Sequence, residues 1–260
     1  MNTCRGSLKL EVKHIKKTFE DTPVIEDVSL RLHENEFVSL LGLSGSGKST
    51  VFNIISGLVM PDAGEVVIDG RNYTGKTGRV SYMHQKDLLM PWKKIIDNVA
   101  IPFILKGQGK KQARAEVQDY FKVFGLEGFE DRYPFQLSGG MRQRAALMRT
   151  YMFSRDIMLL DEPFGGLDAI TRSRMHCWLL EVLENLKTSI LFITHDIEEA
   201  VFLSDRIYVL SKRPARVKEE VVIDLPKPRE RKIVTSEDFN KIKRHILSLL
   251  DEKEEENGCI

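Results

Sequence analysis

Two short stretches of this chain have the composition of anion-binding helix starts. Residues 42 to 50 read GLSGSGKST, and residues 136 to 149 read QLSGGMRQRAALMR, a serine and two glycines opening a basic, helix-forming run. Amides in the first turn of a helix have no intrahelical partner and sit at the positive end of its dipole, so such starts draw phosphate-like groups. In the first stretch Gly42, Gly47, Lys48 and Ser49 fit the phosphate-loop pattern, with a strand-like FVSLLG before them and a helix-like VFNIISGL after them. The glycines let backbone amides close around a β-phosphate, Lys48 would reach the β and γ oxygens, and the Ser49 hydroxyl would hold Mg²⁺. Ser44, Gly45, Ser46 and Thr50 complete the expected nucleotide-binding set. A chance match to the pattern is expected on the order of one time in a hundred in a chain of this length.

Further chemistry stands where apolar runs end. IMLLDEP, residues 157 to 163, puts Asp161 and Glu162 at the end of a strand-like run, and ligands of open parallel sheets sit at the carboxyl ends of strands. Asp161 is then a Mg²⁺ partner through water, and Glu162 the base or water-orienting group for attack on a γ-phosphate. Gln85 closes VSYMHQ and His195 closes ILFITH, so four polar groups should converge on one crevice. Asp196 and Glu199 read as a capping arrangement for the next helix. His84 should face the other side of its strand from Gln85 and is read as structural.

The elements that must position these groups follow from periodicity. Leu8, Leu10 and Val12 alternate, as do Val28, Leu30 and Leu32, and Val66 and Ile68 before the Asp69-Gly70 turn, which predicts half-buried antiparallel sheet. The runs from Phe37, Val80, Ile157 and Ile190 read instead as strands buried on both faces of a parallel sheet. Between Pro91 and Phe153 helical spacing takes over, with Ala113, Val117, Tyr120, Phe121 and Phe124 on one face. Helices are also expected at 171–187, with Met175 and Trp178 as packing residues, and from Ser236, with Phe239, Ile242, Ile246 and Leu249 inward. LPKPR at 225–229 reads as a linker, and DEKEEENG as a solvated end.

Lys and Arg total 39 against 38 Asp and Glu, so no global basic field exists to hold nucleic acid or an anionic membrane, and partners must use local sites. Cys4, Cys177 and Cys259 are odd in number and scattered, which fits a reducing compartment without a disulfide framework. The amino terminus has no apolar core of signal-peptide length, and no window approaches the roughly 18 apolar residues of a membrane helix. The expectation is a cytosolic chain whose membrane role, if it has one, comes through another subunit.

Together these motifs resemble the ATP-binding subunit of an ABC transporter over essentially the whole length. LSGGMRQR resembles the family's signature sequence, and GLSGSGKST, Gln85, IMLLDE, GGLD at 165–168 and His195 follow in the family's order. The resemblance implies an α/β P-loop NTPase core with a mostly parallel sheet, an antiparallel β subdomain and an inserted α-helical subdomain at about 88–153. It implies an ATPase domain over 1–225, followed by a linker and helix at 226–260. The catalytic set would be Glu162, His195, Gln85 and Lys48, with Mg²⁺ held by Ser49, Gln85 and Asp161. Phe19 matches the aromatic that stacks on adenine, where tyrosine is more usual. Two copies would pair head to tail, with Ser138, Gly139 and Gly140 of one covering the ATP of the other and Asp168 at the boundary. Arg142, Arg144 and Arg149 have an ordinary reading as charges that solvate the helix and counter local acids.

The segment KDLLMPWKKIIDNVAIP, 86–102, resembles the part of such subunits that receives a membrane permease; Leu88, Leu89 and Trp92 read equally as docking residues and as subdomain core. QKDLLMPW, PFGGLDAITR and THDIEEAVFLSDRIYVLSKRPARV most resemble importers of nitrate, sulfonates, taurine and thiamine-pyrimidine precursors, with QKD tilting toward the last. Implied partners are a second copy, permease subunits at the cytoplasmic face of the membrane and, indirectly, an extracytoplasmic solute-binding protein, with no nucleic acid. The other readings are a soluble ABC-type ATPase acting on nucleic acid or ribosomes, for which the chain lacks tandem cassettes, and an adenylate-type kinase, which leaves LSGGMRQR and His195 unexplained.

Overall fold

The structure, a computed structural model, describes residues 6–251. Cys4, Cys259 and most of the acidic tail lie outside the described residues.

The chain opens with long antiparallel strands β1 (Leu8–Phe19) and β2 (Thr22–His33), then β3 (Phe37–Leu41) and helix α1 (Lys48–Ile55). The expected alternation holds: Leu10, Val12, Val28, Leu30 and Leu32 are buried, whereas Leu8 at the strand edge is exposed. After α1 come β4 (Ala63–Ile68) and β5 (Arg71–Asn72), joined by a turn in which Asp69 and Gly70 both have positive φ, as tight hairpins require. Next is β6 (Ser81–Met83). Only helices follow until residue 156: α2 (Ile95–Val99), α3 (Ile101–Leu105), α4 (Lys110–Gln118), α5 (Tyr120–Val123) and α6 (Gly139–Phe153). Ala113, Val117, Phe121 and Phe124 are all buried, as their spacing predicts.

The second half alternates strand and helix: β7 (Ile157–Asp161), α7 (Ala169–Leu186), β8 (Ser189–Thr194), α8 (Ile197–Leu203) and β9 (Arg206–Leu210). It ends in β10 (Ala215–Val222) and α9 (Glu237–Asp251). The ten strands form one sheet in the order β5-β4-β1-β2-β10-β9-β3-β8-β7-β6. β6, β7, β8, β3 and β9 run parallel, whereas β1, β2, β4 and β5 pair antiparallel. This is the α/β P-loop NTPase fold with an antiparallel β portion. Every residue of β3, β7 and β8 is buried, because helices cover both faces of the parallel part. On β3, Val38 and Leu40 pack toward Val51 and Phe52 of α1, while Phe37 and Leu41 join the other core with Phe192 and Val201. Parallel pairing puts the carboxyl ends of β3, β6, β7 and β8 on one edge, where the chemistry must sit.

The 225–229 stretch is packed rather than a loose tether. Leu225 and Arg229 are buried, and Arg229 Nη1 donates to the carbonyls of Phe202 (3.1 Å) and Ser204 (2.6 Å) at the end of α8, where helix carbonyls lack partners. α9 then lays Phe239 and Ile246 inward, with Ile242 and Leu249 half-buried beside them.

Candidate functional site

The loop from β3 to α1 is shaped by contacts only glycine allows. A Cβ on Gly42 would stand 2.9 Å from Ser46 Oγ and 3.2 Å from Leu210 Cβ. Gly47 has φ of 102° and sits against Val24, with no room for a side chain. Gly47 is also the N-cap of α1 and offers no capping side chain, so the first amides of α1 stay open for a ligand. Lys48 folds under the loop, Nζ donating to the carbonyls of Gly42 and Leu43 at 2.9 Å each. Burial pulls the Lys48 ammonium below its ordinary pKa, opposed by the negative charges of Glu162 and Asp161. Ser44, Gly45, Gly47, Lys48, Ser49 and Thr50 line a cavity of about 210 Å³ together with Gln85, Asp161, Glu162 and Arg213. Gly42 and Ser46 are not part of this lining, and Ser46 Oγ is buried without a hydrogen-bond partner among the described residues.

Four strand ends converge on that cavity. Asp161, the last residue of β7, is buried, and burial raises its carboxyl above the usual range against hydrogen bonds from Ser49 and Tyr82. Tyr82 Oη donates to Asp161 Oδ2 at 3.3 Å. Glu162 has φ of 43°, a left-handed conformation that a branchless glycine would favour, and it is held there by its amide donating to Ile193 O at 3.0 Å. Gln85 Nε2 donates to Glu162 Oε2 at 3.2 Å, and His195 Nδ1 meets Glu162 Oε1 at 2.9 Å. Gln85, Glu162 and His195 therefore form one connected group beside the loop. A hydroxyl at Ser49 and a buried carboxylate at Asp161 are a donor set suited to Mg²⁺, which keeps several waters and takes few protein ligands.

His195 is supported from below. Asp196 caps α8, accepting from Glu199 N at 3.1 Å. The Glu199 side chain does not return to close a capping box; it turns inward, where Thr194 Oγ1 (2.5 Å) and His176 Nε2 (2.7 Å) bind its carboxylate. His84 lies past the end of β6 and is exposed, its ring 4.1 Å from that of Tyr82. Gln85 lines the phosphate-loop cavity and His84 does not.

The second helix start is placed differently. Ser138 caps α6 through Met141 N at 3.3 Å and is exposed; none of Ser138, Gly139 or Gly140 lines the phosphate-loop cavity. Gly140 is buried, with α7 against it: an added Cβ would lie 3.4 Å from Thr171 and 3.6 Å from Met175. Asp168 caps α7, accepting from the amides of Ile170 (3.1 Å) and Thr171 (3.0 Å). Phe19 stands half-open at the β1–β2 turn, with Lys17 Nζ 5.3 Å from its ring centroid, and is outside the cavity lining.

Around 86–102 the apolar residues divide. Leu89 is buried, which removes it from the docking set, whereas Leu88 and Trp92 are 56% and 73% exposed. The three signature-helix arginines do more than solvate the helix, although Arg142 does counter a nearby acid. Arg149 donates to the carbonyls of Asp87 and Leu88, Arg142 pairs with Asp87 at 3.4 Å, and Arg144 lies 4.7 Å over the Trp178 ring. A groove of about 320 Å³ opens nearby, lined by residues including His84, Ile101, Leu105, Arg149 and Phe153. Sequence reasoning missed Tyr82 and Arg213, which reach the site through tertiary packing, and read Glu199 only as a cap, not as the buried partner of His176 and Thr194; local spacing carries no signal for these contacts.

A phosphate loop, an end-of-strand carboxylate pair and a histidine on the second carboxylate define a P-loop ATPase. Residues 25–165 match the family described as ABC transporter. The chain is 43% identical over 236 residues to the formylaminopyrimidine import ATP-binding protein ThiZ of Halalkalibacterium halodurans, covering 89% of this chain and 92% of that one. It is 38% identical over 259 residues to the nitrate import ATP-binding protein NrtD of a Synechocystis species, covering 96% and 97%. A solved dimeric bacterial ABC transporter cassette superposes with a TM-score of 0.70 at 31% identity, covering 84% of this chain and all of the other. The chain belongs to the ABC transporter family, as its ATP-binding and ATP-hydrolysing cassette.

Proposed function

We propose that this cassette energises import of a small solute from the peripheral, cytoplasmic face of a membrane, working as a pair of identical copies beneath permease subunits. The observation that carries the hydrolytic half is Glu162, held at one oxygen by Gln85 and at the other by His195 on the wall of the phosphate-loop cavity. In this reading Gly45, Gly47 and Lys48 fix the phosphates, Ser49, Gln85 and Asp161 hold Mg²⁺, Glu162 orients the attacking water, and His195 keeps Glu162 in place. Phe19 receives the adenine. Mg²⁺ supplies charge neutralisation at the β- and γ-phosphates. Ser138, Gly139 and Gly140 cover the nucleotide of the other copy, with Asp168 at the boundary, because their helix start is exposed and lies outside the cavity of its own chain.

The permease contact falls on exposed Leu88 and Trp92 and the groove beside them, one residue run from Gln85, so that docking can reach Glu162 through the glutamine. The solute class is that of the import relatives and of the sequence resemblance: a thiamine-pyrimidine precursor, nitrate, or a sulfonate such as taurine. The permease and an extracytoplasmic binding protein choose among them. Trp92→Glu tests the docking surface, since a charge desolvated at an interface is costly. Co-expressed with permease subunits, the variant should lose the complex on affinity purification while the isolated variant melts and binds ATP like the parent. A Trp92→Glu protein that still copurifies with the permease and drives uptake refutes this surface.

A further inference from the structure

Besides Lys48, Arg213 is the cationic side chain lining the phosphate-loop cavity. It sits in the turn from β9 to β10, and that turn is closed on Ser211. Ser211 N donates to Arg216 O at 2.9 Å, Arg216 N donates to Ser211 Oγ at 3.0 Å, and Ser211 Oγ donates to Lys212 O at 2.8 Å. Ala215, immediately beyond, is fully buried, pairs with Ile25 of β2, and stands 3.7 Å from where a Cβ on Gly47 would be. The turn is thus pressed against the phosphate loop at the residue that caps α1. Among the described residues Arg213 has no hydrogen bond or ion pair, and it is exposed. A cation held at a phosphate cavity by a rigid turn, with no protein carboxylate spending its charge, is suited to an anionic ligand.

We infer that Arg213 is a further nucleotide-binding residue, contacting the α- and β-phosphates on the flank of the cavity away from Glu162; this rests on the ATP-binding reading of the cavity. The sheet order decides the flank. From β3, which leads into the phosphate loop, the strands carrying His195, Glu162 and Gln85 lie on one side, as β8, β7 and β6. β9 and β10, with the Arg213 turn between them, lie on the other, next to β2, whose hairpin with β1 carries Phe19. Arg213 therefore stands between the phosphate loop and the aromatic, where the phosphate chain runs toward the nucleoside, and away from the γ end. A contact made there does not distinguish ATP from ADP.

The test is calorimetric titration of the full chain with Mg·ATP and with Mg·ADP, for the parent and for Arg213→Ala, Arg213→Lys and Lys48→Ala. Arg213→Ala should weaken both nucleotides alike, by about three- to tenfold at low salt, as for an accessible charge-assisted contact. The difference should shrink as salt rises, Arg213→Lys should recover part of it, and KM for ATP should move with Kd. Because Arg213 has no partner among the described residues, the melting temperature should not change. Parent-like affinity of Arg213→Ala for both nucleotides, alongside lost binding in Lys48→Ala, overturns this inference alone. A loss confined to ATP puts the guanidinium at the γ-phosphate and overturns the assignment. Parent-like binding by Lys48→Ala overturns the reading of the cavity itself.

Discussion

The chain carries two glycine-bearing helix starts of similar composition and opposite finish. At α1 the cap is Gly47, which offers no side chain; the next residue is a buried lysine, and a walled cavity with two carboxylates faces the open amides. At α6 the cap is Ser138, whose hydroxyl already accepts from Met141 N, and the start is exposed. α7 braces it through Thr171 and Met175 behind Gly140. One start, the pocket, opens onto a walled cavity, and the other, the platform, opens outside that cavity. Composition alone makes them look redundant; their different settings fit the proposed head-to-tail pair, in which each would serve a different part of one site.

The largest effect belongs to the pocket. Glu162→Gln keeps the shape of the side chain and its contact with Gln85 but removes the carboxylate proposed to orient the attacking water. Hydrolysis should fall by about a hundred- to ten-thousandfold while Mg·ATP binding survives, because the interaction lost is made in the transition state. With hydrolysis blocked, the nucleotide-held pair should persist, so size-exclusion chromatography with Mg·ATP should shift the mutant to twice its mass. A mutant that turns over normally and elutes as a monomer removes Glu162 from its role.

A mixing experiment breaks or sharpens the comparison itself. Gly140→Asp is a poor reporter: a Cβ there makes only ordinary contacts with Thr171 and Met175, but the position is buried, so the new carboxylate would also be desolvated against α7. Ser138→Asp is cleaner: aspartate caps helices as well as serine does, while setting a carboxylate where a γ-phosphate should lie. Lys48→Ala damages the pocket and Ser138→Asp the platform. If each site is built from one pocket and the other chain's platform, a mixed pair has one site with both lesions and one intact. Single-turnover hydrolysis should then return on mixing, toward about half the parent amplitude if mixed pairs predominate. With mixed pairs shown by differential tagging, no recovery means that the platform serves its own chain or that one intact site cannot fire alone. Ser138→Asp paired with parent chains separates these, because it leaves one site intact without touching either lysine.

How far the sequence carried this picture depends on the distance over which each feature is encoded. The phosphate loop, the strand-end carboxylates and the alternating β1 and β2 were legible because their determinants lie within a few residues. GLSGSGKST fixes its own backbone, and Leu10, Val12, Leu30 and Leu32 need only a period of two. Gln85 and His195 were found by a rule of topology, that ligands gather at the carboxyl ends of parallel strands. Local pattern failed where neighbours in space decide. Leu88 and Leu89 are adjacent and equally apolar, yet one is exposed and the other buried, because the backbone turns at Leu88, whose φ is 45°. The signature-helix arginines read as surface charges until Arg149 is seen holding the carbonyls of residues 87 and 88. The turn that presents Arg213 is pinned by Ser211 and pressed on Gly47 through Ala215, a contact between residues 47 and 215.

The smallest expected effect asks whether Asp168 belongs to the platform or only to α7. Its carboxylate accepts from the amides of Ile170 and Thr171, which is a complete account of it as a cap. Asn caps a helix about as well as Asp, and Ala does not. Asp168→Asn should therefore melt close to the parent at neutral pH and Asp168→Ala slightly below it. If the charge also matters at the boundary between copies, Asp168→Asn should still lower ATPase activity at saturating nucleotide; a parent-like rate would confine Asp168 to capping. Acid gives a second reading. Hydrogen bonding by Thr171 holds the Asp168 carboxyl below the usual carboxylate range. Its folded pKa is depressed, so its stabilisation is present above the unfolded value of about 3.9 and is lost as pH falls through the lower folded value. The asparagine has no proton to gain. Melting curves of parent and Asp168→Asn that coincide at pH 7 should separate below about pH 4, with the parent falling faster, and curves that stay parallel would show that the cap bonds do not depend on the charge.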